Sequence, residues 1–262
     1  LGRWIAAQCS FPATMVDRIV PATTPADLAG VERLIGLRDE AAVLTERFSQ
    51  WVIEDRFAAG RPRWHEVGAQ LVDDVASYET AKLRMLNGAH SALAYLGLGR
   101  GHRFVHEAIA DAEILAIVRR IMVDEAAPSI EPGPGQDLAG YAETLLARFA
   151  NADLRHELRQ IAMDGSQKIP QRWLETLAFH KARGNTCPGL LTAMGAWLAH
   201  LRGDPALVSD PFAEQARGLW QAVGEERFAE AMFGAQGPFA ASYPADAFDL
   251  RTITAALRQI GR

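Results

Sequence analysis

From about Asp73 onward, apolar residues recur at three- and four-residue spacing with no sustained alternation, and this change of period dictates a largely helical fold. Helices are expected near 75–95, 102–109, 111–127, 137–150, 166–182, 188–202, 212–222, 225–232 and 246–260. Their breaks are chemically explicit. Glu131-Pro132-Gly133-Pro134-Gly135 cannot continue a helix, Asp137 can cap the next one, and Asp204-Pro205 and Asp210-Pro211 punctuate likewise. Gly97-Leu98-Gly99-Arg100-Gly101 suits a helix C-cap and turn.

Before Asp73 the chain reads as mixed α/β. Residues 14–24 are β-branched and interrupted by Pro21, a short strand leaving into a loop, and residues 48–57, with Trp51, Val52 and Ile53, form a second extended segment. Between them Thr24 can act as N-cap, with Pro25 first in the helix and Asp27 in its first turn, running to about Gly36. The fold class expected is therefore mainly α, preceded by a short mixed segment, with domains at 1–72 and 73–262.

Composition excludes several functions. At 262 residues with 49% hydrophobic side chains the chain can bury a substantial core. A formal charge of -5 and the lack of a basic run speak against nucleic acid. Cys9 and Cys187 have no disulfide-framework or zinc-ligand spacing, so a reducing compartment is expected. No stretch has transmembrane length and no signal peptide is evident, which leaves a cytoplasmic location as the default expectation and no membrane partner. Oligomeric state has no readable signal.

The chemistry concentrates in Glu79-Thr80-Ala81-Lys82-Leu83-Arg84-Met85-Leu86-Asn87-Gly88-Ala89-His90-Ser91. At about 100° per residue, Glu79, Asn87 and His90 lie roughly 60°, 140° and 80° from Lys82, on one broad face. Leu83 and Leu86 share the arc, so the ammonium is expected to be poorly hydrated, which favours the neutral amine. The plain alternative is a solvated helix face. Against it, Asn and His are weak helix formers and Gly88 costs about 1 kcal/mol relative to Ala, so a ligand or another helix is expected to approach there.

Other motifs carry less. The 97–101 glycines follow a helix, not a strand, which argues against a dinucleotide loop. His102 and His106 have metal-pair spacing but lack HExxH and a third ligand. Asp17 and Arg18 could be a local ion pair, and Trp4, Trp51, Trp64, Trp173, Trp197 and Trp220 are expected in core or subdomain contacts. Gln160 through Arg172 is dense in polar groups, with a turn at Asp164-Gly165, a helix starting near Ser166 and Pro170 in its first turn.

Four blocks together resemble the mannitol dehydrogenase family, the polyol-specific long-chain dehydrogenases that include fructuronate and tagaturonate reductases. They are Phe11 to Pro21 (Phe-Pro-Ala-Thr-Met-Val-Asp-Arg-Ile-Val-Pro), Gln50-Trp51-Val52-Ile53-Glu54-Asp55, Lys82 to Ser91, and Asp164-Gly165-Ser166-Gln167-Lys168. The resemblance implies a Rossmann domain binding NAD(P) followed by a helical domain similar to the C-terminal domain of 6-phosphogluconate dehydrogenase. The nucleotide-binding glycine loop is not in this sequence, so residues 1–72 look like the tail of that first domain and the chain looks like a fragment. The cofactor-binding residues are then expected outside it.

By position, the resemblance makes Lys82 the general acid/base, Asn87 the amide facing the developing oxyanion, His90 a substrate-positioning group and Glu79 the carboxylate passing the proton to solvent. Asp17 and Lys168 match substrate-contacting positions. Lys168 or Arg172 could pair with a C1 carboxylate, which points toward hexonate substrates, and no metal is required. The expected reaction is NAD(P)-dependent interconversion of a secondary alcohol and ketone, of mannonate/fructuronate or mannitol/fructose type. A chain existing alone would instead be a non-catalytic helical sugar-binding or interaction module.

Overall fold

The computed structural model describes residues 1–260. The chain divides into two compact units, one of residues Leu1–Lys82 with Glu131–Asp137, the other of Leu83–Ile130 with Leu138 onward.

The first unit begins with α1 (Gly2–Gln8), a short helix that buries no residue and leaves Trp4 61% exposed. Neither α1 nor the exposure of Trp4 is legible in the sequence. Strand β1 (Thr14–Asp17) follows, then α2 (Pro25–Ile35), β2 (Gln50–Glu54), a 3₁₀ turn at Trp64–Val67, β3 (Gln70–Val72) and α3 (Ala76–Ala81). Sheet order is β1-β2-β3, with β1 antiparallel to β2 in the register Val16↔Trp51 and β2 parallel to β3. β1 alternates as its period requires: Met15 and Asp17 point inward, Thr14 and Val16 outward. Met15 joins Val52, Val75 and Tyr78 in a small apolar cluster. Helix α2 has the caps expected of it. Thr24 Oγ1 accepts from Asp27 N at 3.2 Å, Thr24 N donates to Asp27 Oδ2 at 2.8 Å, and Gly36 closes the end in the left-handed region at φ 74°.

The second unit contains α4 (Gly88–Gly99), α5 (Val105–Ala110), α6 (Ala112–Arg120), α7 (Leu138–Phe149), α8 (Leu158–Ala162), α9 (Gly165–Ile169), α10 (Glu175–Lys181), α11 (Pro188–Leu201), α12 (Ala213–Phe233) and α13 (Ala247–Ile260). The core is built on α4 and α11, each with ten buried residues and so apolar around most of its circumference. The two helices expected at 212–222 and 225–232 are the halves of α12, separated by Gly224 at φ 71°, ψ 178°. Helix α8 is absent from the sequence reading. Its Leu158 and Ile161 are buried, but five residues are too few to establish a period.

Two expectations need adjustment. The Gly97–Gly101 cluster closes α4 as expected, but later than residue 95: the helix ends at Gly99, Arg100 is its C-cap with its amide on the Gly97 carbonyl at 3.1 Å, and Gly101, at φ 81°, takes the left-handed turn. Gly97 is needed for packing: a Cβ there would lie 2.6 Å from Leu158 Cδ1 and 2.9 Å from Ala108 Cβ. Gly97→Val is expected to lower stability by about 1–3 kcal/mol, read as a drop in Tm; an unchanged Tm would show that α5 and α8 can yield. The second correction concerns helix periodicity. Lys82–Asn87, Ile121–Ala126 and Pro170–Leu174 are π-helical turns, so counting 100° per residue fails across each of them. Pro170 thus opens a π turn after α9, which starts at Gly165.

Candidate functional site

In the first unit, Lys82 ends the run from α3 and opens the π turn. It is half-buried, and its Nζ donates to the Val16 carbonyl at 2.5 Å. An ammonium has three donors, so this bond leaves two for other acceptors. Glu79, one turn earlier, is exposed. Asp17 is 1% exposed on the inward face of β1, while the exposed Arg18 donates from its guanidinium to the Glu46 carbonyl at 2.9 Å.

The second unit holds the remaining predicted residues. Asn87 is half-buried at the end of the π turn. The segment Pro170–Leu174 packs against the start of α4, with Trp173 Nε1 donating to the Gly88 carbonyl at 3.0 Å. A Cβ on Gly88 would meet the Arg172 carbonyl at 3.3 Å and Trp173 Cδ1 at 3.6 Å. The approaching element expected at Gly88 is therefore a helix. Arg172 Nη1 donates to Ser91 Oγ at 2.8 Å and reaches the Asn87 carbonyl at 3.5 Å, tying this guanidinium to the backbone that carries Asn87.

His90 is 6% exposed, with Phe149 at 4.6 Å between ring centroids and His156 at 5.4 Å. Burial, reinforced by His156 when protonated and by the positive charges of Arg172 and Arg148, holds its imidazole well below the usual range, so it is neutral at physiological pH. Burial also pushes His156 down to about 4. Lys168 donates to the Met163 carbonyl at 2.6 Å; burial and the nearby Arg172 lower its pKa, opposed by Asp164 and Asp210. Its helix is anchored by Asp210, whose carboxylate accepts from Ser166 N at 2.8 Å and from Ser166 Oγ at 2.5 Å.

Sequence reasoning singled out neither His156 nor Phe149, and it expected Trp173 among the core contacts, where it lies, without tying it to Gly88. Asp210-Pro211 was legible as punctuation, but nothing in sequence ties it to Ser166. His102 and His106 have other surroundings: Glu107 accepts the Arg103 and Phe104 amides as a cap of α5, and His106 stacks on Phe104. Among the described residues no group of three His, Cys, Asp or Glu is placed to hold a metal ion, and no helix is long and apolar enough to cross a membrane. A cavity of 520 Å³ in the second unit is lined by Tyr95, Arg159, His200, Arg202 and Trp220 among others, and none of the predicted site residues reaches it.

The chain belongs to the mannitol dehydrogenase family: residues 74–259 match the mannitol dehydrogenase C-terminal domain and residues 1–66 the mannitol dehydrogenase Rossmann domain. It is 46% identical over 216 residues to the uncharacterized oxidoreductase YdfI of Escherichia coli (strain K12), covering 80% of this chain and 44% of that protein. It is 41% identical over 266 residues to D-mannonate oxidoreductase of the same organism, covering 99% and 54%. Among solved structures it resembles the Pseudomonas fluorescens mannitol 2-dehydrogenase ternary complex with NAD and D-mannitol, at a TM-score of 0.80 and 36% identity, covering 99% of this chain and 52% of that one. The chain spans about half the length of the curated relatives it matches.

Proposed function

We propose that the protein carrying this chain is an NAD(P)-dependent oxidoreductase that interconverts a secondary alcohol and a ketone on a hexonate or sugar alcohol. Residues 1–72 then belong to its nucleotide-binding domain and 73–262 to a substrate domain similar to the helical domain of 6-phosphogluconate dehydrogenase. The observation that carries the reading is the π turn Lys82–Asn87, which interrupts an otherwise α-helical run and has as its first and last residues the two groups that family resemblance makes acid/base and oxyanion donor. Single π turns inside α-helices concentrate at functional sites, since the extra residue costs helix stability and asks for a compensating role.

The residues described here do not by themselves fit a dinucleotide. A pyrophosphate site needs a glycine-rich strand-to-helix turn with free amides. The turn after β1 enters α2 through a capping box in which the Asp27 carboxylate already accepts the Thr24 amide. No residue of this chain is therefore assigned to the cofactor. When bound, NAD(P) supplies the acceptor for the hydride.

The chain's own residues act on the other half of the reaction. Lys82 takes the hydroxyl proton as the carbon is oxidised and returns it in reduction. Asn87 donates to the oxygen as its charge develops. His90 and Asp17 orient the substrate, and Glu79, exposed one turn before Lys82, hands the proton to solvent. Lys168, with Arg172 beside it, faces the substrate's carboxylate. A charge-assisted contact there rewards a hexonate over a neutral polyol. D-mannonate oxidoreductase and mannitol 2-dehydrogenase stand on either side of that choice. Turnover of fructuronate with NADH by the intact protein is expected to exceed that of fructose; equal or better turnover of fructose would sink the carboxylate assignment.

A further inference from the structure

We propose that His156 is a positioning residue for His90, fixing its ring plane and keeping water off one of its faces. The inference rests on reading His90 as a group that orients the substrate, and it stands on the geometry around the two rings.

The segment that brings His156 to His90 is held unusually firmly for a loop. Glu157 pairs with Phe104 in an isolated antiparallel bridge. On either side of that pair, Val105 N donates to the His156 carbonyl at 3.0 Å and Leu158 N to the Arg103 carbonyl at 2.9 Å. Just before it, Arg155 adopts φ 44°, ψ 42°, left-handed for a residue with a side chain. Such a conformation is strained for a residue with a side chain and persists where the surroundings impose it. Its consequence here is to turn the chain so that the His156 imidazole meets the His90 ring edge-on, at an interplanar angle of 88°. Phe149 covers His90 from another side. His90, seated on α4 among buried neighbours, thus has little rotational freedom left.

Each ring also has a buried nitrogen with no hydrogen-bond partner among the described residues, Nε2 of His90 and Nδ1 of His156. An imidazole in that state is kept neutral by its surroundings, and the charges that act on His90 are those of Arg148 from α7, Arg172 from the turn Pro170–Leu174, and His156 itself when protonated. The arrangement fits the orientation of a neutral ring. A phenyl group at 156 would preserve the cover, whereas a small side chain would admit water to the ring and let it take a proton more readily.

The test uses His156→Ala and His156→Phe in the intact protein, with His156→Asn as a second truncation should the alanine variant not fold. Two readouts are needed: the titration of His90 followed by NMR of labelled histidine, and KM and kcat as functions of pH. With alanine or asparagine, the His90 midpoint is expected to rise toward the ordinary histidine range and KM to increase roughly tenfold, with kcat changed less, as displacement of a substrate-orienting group predicts. With phenylalanine, both are expected to stay close to wild type. The inference is overturned if truncation leaves the His90 titration unchanged, or if phenylalanine is as damaging as alanine. His90→Ala separates this from the underlying reading: an unchanged KM there would refute His90 as a substrate contact, while the NMR titration would still decide whether His156 positions it.

Discussion

Lys82→Ala in the intact protein is expected to lower kcat by about 10²–10⁴-fold while leaving the affinity for NADH nearly unchanged. Folding should survive the change. Among the described residues the bond lost is that from Nζ to the Val16 carbonyl, on a half-buried side chain, and such a bond contributes about 0.5–1.5 kcal/mol. Lys82→Arg sharpens the test. It keeps a cation able to donate to the Val16 carbonyl, but a guanidinium does not give up its proton near neutral pH. Loss of turnover in both variants, with NADH still bound in a fluorescence titration, assigns proton exchange to this position. Wild-type turnover in Lys82→Ala would refute the assignment, and full activity in Lys82→Arg would reduce the lysine to a fixed charge.

The chain shows how far sequence carries. Helix limits were readable where capping and glycine chemistry is local: Thr24 with Asp27 opens α2, Gly36 closes it, and Gly224 breaks α12 where two helices were expected. The candidate residues were readable too, because Lys82, Asn87 and His90 sit close together around a glycine that an ideal helix would avoid. Their local geometry was not. A π turn gives up optimal helix bonding in return for contacts elsewhere, and those partners come from distant sequence, as Trp173 does for the Gly88 carbonyl. His156 was invisible for the same reason. Its placement depends on a bridge between Phe104 and Glu157, and neither residue marks a strand by composition. Strand β3 and helices α1 and α8 were missed because elements of three to seven residues carry too little periodicity.

Glu125→Ala is expected to destabilise the helical unit strongly, because this side chain closes a helix to which it does not belong. Helix α11 starts at Pro188, which has no amide hydrogen, and its N-cap Cys187 makes no side-chain cap. The next two amides, of Gly189 and Leu190, donate to Glu125 Oε1 at 2.7 Å and Oε2 at 2.8 Å. Leu191 N is already bonded within the helix, to the Cys187 carbonyl at 3.0 Å. Glu125 therefore satisfies the remaining donors of that first turn, and it does so at 2% exposure. Gly189 leaves room for it, since a Cβ there would lie 3.0 Å from Oε1. Removing the carboxyl strands two buried amides at about 1–3 kcal/mol each, to which the cavity adds.

The pH dependence of stability separates Glu125 from ordinary packing. Burial outweighs the two amide donors and raises its pKa from 4.5 to about 7. The folded state then holds this proton more tightly than the unfolded state does, so the contribution is full below the unfolded value and declines as pH rises from 4.5 to about 7. Across that window the loss is on the order of 3 kcal/mol. His90, His156 and His200 are all lowered by burial and act with the opposite sign, adding stability as pH rises toward 6.5. The informative quantity is therefore the difference between wild type and Glu125→Gln, which keeps the volume but not the titration. Denaturant unfolding of the two at a series of pH values should show their gap narrowing as pH rises to neutrality; a gap constant with pH would show that Glu125 is ionised in the folded protein throughout.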